Sequence, residues 1–217
     1  FRSLNQKAVA RRYAKSIGKK YEELNLIVVH LGGGISVGAH RKGLVIDVNN
    51  ALNGEGPISP ERAGTVPSEA LATLCFSGKY TLNEVKKMLH GKAGLAAYLG
   101  TSDMITIEEK AIEGKEPYKT LVAAMDYTVA KEIGAMFVAL KGQCDAIILT
   151  GGIAYSDYCV ADIKEQIEYL CKVVVLPGEN EMESLAENAF GALTGELPVL
   201  TYTGVSCAEE IPGMAEA

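Results

Sequence analysis

The sequence predicts an α/β protein with a mixed five-stranded sheet in the order 3-2-1-4-5 and helices on both faces. Three short apolar runs near the start of the chain are joined by tight glycine-bearing connections, which is typical of an antiparallel meander. Two later apolar runs are separated by stretches with helical spacing, which favours parallel pairing through helical crossovers. The 217 residues, 48% of them hydrophobic, supply enough apolar material for a core.

The first part of the chain predicts one helix and three strands. Apolar spacing of three and four predicts a helix over 3–17, and Gly18 is suited to end it. Gly32, Gly33 and Gly34 separate the first two strands, and a turn at Lys42-Gly43 separates the second from the third. The predicted strands cover 25–30, 35–40 and 44–50.

The second part of the chain alternates helices with two strands. Residues 53–67 are rich in Gly and Pro and predict an irregular loop. The long apolar helix at 119–142 either lies in the core or forms a subunit interface, and we expect a homo-oligomer. The remaining predictions are helices at 68–78, 81–91, 155–171 and 182–194, and strands at 145–149 and 172–177.

This order of elements brings two glycine segments to one edge of the sheet. In the order 3-2-1-4-5, the strand at 26–30 lies beside the strand at 145–149, and both run in the same direction. Their following segments, Gly32–Gly34 and Gly151–Gly152, then leave the sheet at the same edge. Ligands of open α/β sheets bind outside the carboxyl ends of parallel strands, so we expect the functional site there.

Composition excludes several classes of function. The net charge of −6 argues against a protein that binds nucleic acid through bulk charge. No apolar run approaches the ~20 residues that span a bilayer. The five cysteines are scattered without a CxxC pair, so we expect reduced thiols in a cytoplasmic protein rather than a zinc site. The chain begins at Phe1 rather than Met, and we expect a segment to precede it.

The two glycine segments each allow a functional and a structural interpretation. Gly32, Gly33 and Gly34 lack side chains and can bring backbone N–H groups close to an anion, or they can form a loose hairpin turn. Gly151 and Gly152 stand between a strand and a helix, where they suit either a nucleotide or close strand–helix packing.

Polar residues near these segments are open to the same two interpretations. Arg62 can grip a carboxylate or phosphoryl group with paired donors, or it can be a solvated surface arginine. Asp103 can accept a hydrogen bond from a ribose hydroxyl, although Ser102 or Asp103 would also cap a helix. His30 ends the first strand, where it can donate to a phosphate oxygen or be a satisfied, half-buried histidine.

Three acidic residues precede the last helix. One of them can bind Mg²⁺ through oxygen ligands, or all three can compensate the helix dipole in a first turn. They are Glu179, Glu181 and Glu183.

These motifs together resemble butyrate kinase, of the acetate kinase family within the sugar kinase and actin superfamily. The stretch VVHLGGGISVGAHRKGLVIDVNNALNGEGPISPERAG carries most of the resemblance. The shorter motifs TSDM, LTGGIA and LPGENEMESLA follow in the family's order. The similarity covers residues 1 to about 202 and implies one ribonuclease H-like repeat of βββαβαβα order.

The resemblance implies roles for individual residues. Gly32, Gly33 and Gly34 would bind phosphate, and Gly151, Gly152 and Ile153 would line the adenosine side. Asp103 would lie near the ribose, and Glu181 would help bind Mg²⁺. Arg62 and His30 would be catalytic residues on the transferring phosphoryl group. Phe1 and Arg2 would border the substrate's acyl pocket.

The chain departs from the family pattern at several positions. The family often has His after the phenylalanine, where this chain has Arg2, which leaves the acyl side of the site open. Acetate kinases have Asn in place of Gly33 and an arginine in place of Ile105, so both differences favour butyrate over acetate.

The resemblance also implies a division of the chain. Residues 1–202 match the second of two superfamily repeats, and the first repeat is absent from this sequence. Within the match, 1–24 would be a linking helix and 68–115 a helical insertion, while 203–217 would form a tail.

The implied reaction transfers a phosphoryl group from ATP, with Mg²⁺, to a short-chain fatty acid, giving ADP and an acyl phosphate. Two other functions remain open. The chain can be a nucleotide-binding or assembly module without turnover, or a superfamily kinase acting on a sugar or glycerol. The last would need a general-base aspartate for its hydroxyl acceptor, and the sequence offers no convincing candidate.

Overall fold

The computed structural model describes residues 2–178, 181–197, 199 and 201. In that part of the chain, five strands and eight α-helices follow one another, with short 3₁₀ turns at Tyr21–Glu23 and Ile153–Tyr155. The strands are β1 (Asn25–Leu31), β2 (Ile35–Arg41), β3 (Leu44–Val48), β4 (Ala146–Gly151) and β5 (Val173–Pro177). The helices are α1 (Arg2–Ser16), α2 (Ser68–Cys75), α3 (Leu82–Leu89), α4 (Leu95–Leu99), α5 (Met104–Ile112), α6 (Tyr118–Ala139), α7 (Asp157–Ile167) and α8 (Glu181–Thr194).

The sheet has the predicted order β3-β2-β1-β4-β5. The β1–β2 and β2–β3 pairs are antiparallel, whereas β4 pairs parallel with both β1 and β5. The expected mixed sheet is therefore confirmed, including the parallel contact between the first and fourth strands.

Two hydrophobic clusters cover the two faces of the sheet. Alternate residues of β1 and β4 point to opposite faces because side chains alternate along a strand. Ile27 and Ile147 join a large cluster with α5, α6 and α7, whereas Leu26 and Ile148 pack under α1 on the other face. Helix α8 packs against α1. Helices on both faces were predicted and are confirmed.

The turns at the edge of the sheet follow local sequence chemistry. Lys42 and Gly43 both have positive φ, 50° and 86°, which matches the two-residue turn that suits the twist of an antiparallel hairpin. Gly18 has a φ of 68° and ends α1, because this left-handed conformation costs glycine no strain.

Strand β3 ends at Val48, before the predicted end at residue 50, because the side chain of Asn49 takes over the hydrogen bonds that the β3 backbone would make to β2. Its Oδ1 accepts from the N–H of Val37 at 2.7 Å, and its Nδ2 donates to the carbonyl of Ile35 at 3.2 Å. The chain can therefore leave the sheet at residue 49 without unpaired groups on β2. Helix α7 is likewise shorter than the helix predicted at 155–171. It begins at Asp157 because the hydroxyl of Ser156 caps it by accepting from the N–H of Cys159.

Helix α6 lies in the core. Its apolar positions Val122, Met125, Val129, Ile133 and Met136 are buried in the larger cluster, so the core placement of this long helix is correct. Between β3 and α6, the chain forms α2 to α5. The outer helices of this segment contribute little burial, because α2 buries no residue and α3 buries only Val85.

Candidate functional site

The parallel pairing of β1 and β4 brings the two glycine segments together. His30 pairs with Thr150, so the chain leaves both strands at the same level of the sheet. Gly151 has a φ of 95°, and a β-carbon there would overlap the carbonyl of Leu31. The close contact at Gly151 is therefore with strand β1, and not the strand–helix packing that the sequence suggested as the structural alternative. It places Gly151 directly beside the start of the Gly32–Gly34 loop.

A cleft of about 430 Å³ opens at this edge of the sheet. Its size falls in the usual range for small-molecule sites. Five of the predicted site residues line it, namely Gly32, Gly33, Asp103, Gly152 and Ile153. The other lining residues are Pro60, Ser102, Met104, Ile105, Glu108, Tyr155 and Ser156. Gly34 and Gly151 adjoin the lining residues in the chain but do not line the cleft themselves.

The glycine loop connects two antiparallel strands and is held rigidly at its middle residue. The carbonyl of Gly33 accepts from the hydroxyl of Ser59 at 2.8 Å and from the N–H of Glu61 at 3.1 Å. Gly33 is exposed and lacks a left-handed φ, while Gly32 and Gly34 are buried. The loop is thus a hairpin connection that also presents its backbone to the cleft.

The segment 59–62 links the glycine loop to helix α4. The N–H groups of Leu95 and Ala96 donate to the carbonyls of Ser59 and Pro60 at 3.1 and 2.9 Å. Gly94 has a φ of 60°, and a β-carbon there would overlap the carbonyl of Ser59. Backbone hydrogen bonds therefore run from the start of α4 through residues 59–61 to Gly33.

Asp103 caps helix α5 and lines the cleft. One carboxylate oxygen accepts from the N–H of Ile105 at 3.3 Å, and the other accepts from the hydroxyl of Thr106 at 2.5 Å. The hydrogen bond from Thr106 holds the pKa of the Asp103 carboxyl below its ordinary value. The capping interpretation of Asp103 is confirmed, while its exposed carboxylate still borders the cleft.

Arg62 lies beside the loop that follows β3. Its Nη1 donates to the carbonyl of Ala51 at 2.6 Å, and its Nε is buried without a hydrogen-bond partner. The side chain is half-buried and is not a fully solvated surface arginine. Arg62 is absent from the residues that line the 430 Å³ cleft, so the structure places it outside the glycine-lined part of the site.

His30 is the second-last residue of β1 and lies on the face that α1 covers. Its side chain is only 6% exposed, and its Nδ1 lies 3.3 Å from the amide Nδ2 of Asn5. Because Nδ2 of an asparagine can only donate, this geometry makes Nδ1 the acceptor. His30 and the adenosine-side residues therefore belong to different faces of the sheet, with the glycine loop between them.

Five predicted residues lie wholly or partly outside the described residues. Phe1 and Glu179 are outside them altogether. Arg2 begins α1, while Glu181 and Glu183 lie in the first turn of α8, but the side chains of these three residues are not described. In the described part of the chain, no group of three or more His, Cys, Asp and Glu side chains is arranged to hold a metal ion.

Sequence reasoning missed several cleft residues. Tyr155 is 71% exposed and lines the cleft, although its only local signal is its place three residues after the Gly151-Gly152 pair. Met104 and Glu108 belong to α5, a short helix whose first turn follows the Asp103 cap. Glu61 does not line the cleft but lies against Gly33, and it was missed because this proximity arises from the folding of the 53–67 loop.

The fold and the cleft define a class of α/β proteins with a ligand site at the carboxyl ends of the central parallel strands. Solved acetate and propionate kinases share this fold. A Porphyromonas gingivalis acetate kinase is 21% identical with a TM-score of 0.78, over 88% of this chain and 54% of that one. A Francisella tularensis propionate kinase is 22% identical with a TM-score of 0.74, over 83% and 52%.

The chain belongs to the Acetokinase family, whose sequence profile matches residues 1–191. A Phocaeicola vulgatus protein named probable butyrate kinase is 71% identical over 202 residues, which are 93% of this chain and 57% of that protein. A Bacteroides thetaiotaomicron protein of the same name is 56% identical over 200 residues, or 92% and 57%. The chain thus spans a little over half the length of these curated relatives. None of its described helices is long and apolar enough to cross a membrane.

Proposed function

We propose that this chain contributes the nucleotide site of an ATP-dependent kinase that phosphorylates a short-chain fatty acid such as butyrate. The observation that carries the proposal is the meeting of two glycine segments in one cleft, where β1 and β4 end in parallel. Family membership and the two relatives named probable butyrate kinase support it. The substrate is a carboxylate, and the products are ADP and an acyl phosphate.

The cleft offers distinct surfaces to the two ends of a nucleotide. Ile153, Met104 and the exposed ring of Tyr155 supply apolar surface suited to a purine. Asp103 offers carboxylate oxygens to ribose hydroxyls on the same wall. Gly32 and Gly33 present backbone without side chains, which lets phosphate oxygens approach closely.

The chemistry of the acceptor explains why no catalytic base is needed. A carboxylic acid titrates near pH ~4.3 and is ionised at neutral pH, so its oxygen is already a nucleophile. That oxygen bonds to the γ-phosphorus while the bond from γ-phosphorus to the β,γ-bridging oxygen breaks, and ADP leaves with the electron pair. The difficulty is to bring one anion against another, so catalysis rests on position and positive charge.

Arg62 and His30 are the proposed catalytic residues. The guanidinium of Arg62 is anchored through one nitrogen to the carbonyl of Ala51, which sets the direction of its remaining donors. Nδ1 of His30 faces the amide of Asn5, so Nε2 is the ring nitrogen that would donate to phosphate.

The carboxylate of Glu61 beside the glycine loop supports a role for Mg²⁺. This ion keeps several waters and is bound by one or two carboxylates together with substrate phosphates. The carboxylate of Glu61 lies beside Gly33, and Glu181 begins α8. When bound, Mg²⁺ neutralises charge on the phosphates. Glu61 and Glu181 are the candidate ligands in this chain.

Calorimetry tests the proposal on the chain itself. We expect MgADP and MgATP each to bind at one site per chain. Adding butyrate to the MgADP complex then tests the acyl side separately. A coupled assay of ADP release, with butyrate compared with acetate, tests turnover. Absence of binding by both nucleotides would contradict the proposal. Binding without ADP release would favour the nucleotide-binding module without turnover.

A further inference from the structure

The carboxylate of Glu61 stands directly against the glycine loop. Its Oε2 lies 3.1 Å from the position of a β-carbon on Gly33, and its Oε1 accepts from the hydroxyl of Ser102 at 3.3 Å. Gly33 and Ser102 both line the cleft. A negative charge therefore sits where the loop that would receive phosphate meets the rest of the site.

The backbone around Glu61 fixes this position. Its N–H donates to the carbonyl of Gly33 at 3.1 Å, and its carbonyl accepts from the N–H of Gly91 at 2.9 Å. Among the residues that the structure describes, no lysine or arginine forms an ion pair with its carboxylate. The charge is thus held beside the loop without neutralisation by a cationic side chain.

A carboxylate at this point has opposite effects on two forms of a nucleotide. It repels the phosphates of free ADP or ATP, because like charges at short range raise the free energy of the complex. It attracts a divalent cation carried by those phosphates, since Mg²⁺ in nucleotide sites is held by one or two carboxylates together with phosphate oxygens. One side chain can therefore discriminate between the two forms.

We propose that Glu61 makes the glycine loop selective for the metal complex of the nucleotide over the free nucleotide. The carboxylate contacts the cation directly or through one of its bound waters. This inference rests on the proposed function, since it assigns a specificity to the same cleft. It assigns Glu61 a different part from that of Arg62, the adjacent residue, which would act on the transferring group.

The test compares ADP binding with excess Mg²⁺ and with EDTA, by calorimetry, in wild type and Glu61→Gln. Glutamine keeps the length of the side chain and an oxygen that accepts from Ser102. We expect wild type to bind MgADP at least tenfold more tightly than free ADP. In Glu61→Gln, we expect the affinity for MgADP to fall about tenfold and the affinity for free ADP to rise. The ratio of the two affinities then approaches one.

Two further variants separate metal recognition from other effects. Glu108→Gln removes a carboxylate from α5 in the cleft, so a general charge effect raises the affinity for free ADP without lowering the affinity for MgADP. A tenfold loss of MgADP affinity is expected only in Glu61→Gln. Ser102→Ala removes the hydrogen bond but keeps the Glu61 charge, and we expect the wild-type ratio of MgADP to free-ADP affinity to persist. If Ser102→Ala also brings this ratio close to one, Glu61 only supports the structure and the inference is wrong.

Paramagnetic resonance of Mn²⁺ gives a readout independent of turnover. We expect wild type with ADP to retain tightly bound Mn²⁺, and Glu61→Gln to retain nucleotide but release most of the metal. Circular dichroism confirms that the variant is folded. A folded Glu61→Gln with an unchanged ratio overturns this inference and leaves the proposed function standing. A wild type that binds no nucleotide in either form overturns both.

Discussion

The side-chain amide of Gln6 lies in the space that a β-carbon on Gly38 would occupy. From that position its Nε2 donates to Ser36 at 3.1 Å, and its Oε1 accepts from Nε2 of His40 at 3.0 Å. Burial lowers the pKa of His40 to about 4, so the ring is neutral and its Nδ1 accepts from the hydroxyl of Tyr21 at 2.7 Å. A buried polar chain thus attaches α1 to β2.

Replacing Gly38 by alanine is expected to break this chain. The new methyl group displaces the Gln6 amide, leaves buried polar groups unpaired, and costs about 2 kcal/mol or more of unfolding free energy. Urea denaturation measures the loss. Gly134→Ala is the control, because it lies inside α6 with no atom close to the place that its new methyl group would take, and we expect it to be neutral or to stabilise by up to about 1 kcal/mol. Equal effects of the two changes would contradict the proposed role of Gly38.

Gly151→Ala is expected to disturb the contact between the two glycine segments. Its φ of 95° strains any L-residue, and the methyl group also overlaps the backbone of Leu31. Gly100→Ala isolates the first effect, because Gly100 has a φ of 72° with nothing nearby. We expect Gly100→Ala to cost about 1–2 kcal/mol in urea denaturation and Gly151→Ala distinctly more, with loss of ADP binding by calorimetry. Normal ADP affinity in Gly151→Ala would show that nucleotide binding does not depend on the contact between Gly151 and Leu31.

Asp126 is expected to make stability fall as pH rises. Burial between α6 and α7, together with the nearby charge of Asp162, raises the pKa of its carboxyl from 3.8 to about 8. At a pH between 3.8 and about 8, Asp126 is protonated in the folded chain but ionised in the unfolded chain. Its contribution to unfolding free energy therefore declines by on the order of 1 kcal/mol per pH unit from pH 4 to pH 8, and then levels off.

Asp126→Asn removes this titration, so the difference in unfolding free energy between variant and wild type should grow in the variant's favour as pH rises. Urea denaturation from pH 5 to pH 8 measures the difference. Glu69→Gln, at an exposed position in α2, should leave the wild-type slope unchanged. Parallel profiles for wild type and Asp126→Asn would show that Asp126 does not titrate in this range.

Asp103 variants should separate its capping role from contact with a ribose. Asp103→Ser keeps a hydroxyl that can cap α5, but the shorter side chain withdraws from the cleft. We expect Asp103→Ser to unfold near the wild-type temperature while binding ADP about tenfold more weakly. Asp103→Ala should lose both properties. If Asp103→Ser binds ADP as wild type does, capping alone accounts for Asp103.

Arg62→Ala should reduce turnover while nucleotide affinity stays within about twofold. Removal of one preorganised donor to the transferring group costs on the order of 10²–10³ in rate. Arg62→Lys should restore charge but not the paired donors, and so should recover only part of the rate. The coupled ADP assay and ADP calorimetry measure the two quantities in a chain that shows turnover. Arg41→Ala, at the exposed end of β2, is the control. Near-normal turnover in Arg62→Ala would reject its catalytic role.

The sheet was predictable because its determinants are local. β1 and β4 are buried along their whole length, and their sequences are short apolar runs bounded by glycine. Antiparallel hairpins join β1 to β2 and β2 to β3, while helical crossovers lead to β4 and β5. The simplest order that satisfies both is β3-β2-β1-β4-β5. The alternation along β1 also places His30 on the same face as Leu26 and Val28, as the structure shows.

The cleft was only partly predictable because one wall depends on distant contacts. Gly32, Gly33, Gly152 and Ile153 follow directly from strand ends, and all four line the cleft. The packing of Glu61 against Gly33 joins residues 28 positions apart within an irregular loop, where periodicity carries no information. Helix α4 has only five residues, too few for its apolar spacing to be distinguished from loop sequence.

The hydrogen bonds from α4 to Ser59 and Pro60 divide the segment between β3 and α6 into two parts that can differ in how freely their sequence changes. The backbone of Gly94, Leu95 and Ala96 contacts the segment that is hydrogen-bonded to Gly33. A substitution at these residues would therefore shift the backbone that holds Gly33 in place. Helix α2 buries no residue, and α3 is joined to this segment at its end, where the carbonyl of Leu89 accepts from the N–H of Ala63. We expect relatives to vary in length and composition around residues 68–88 while they retain a glycine at the place of Gly94.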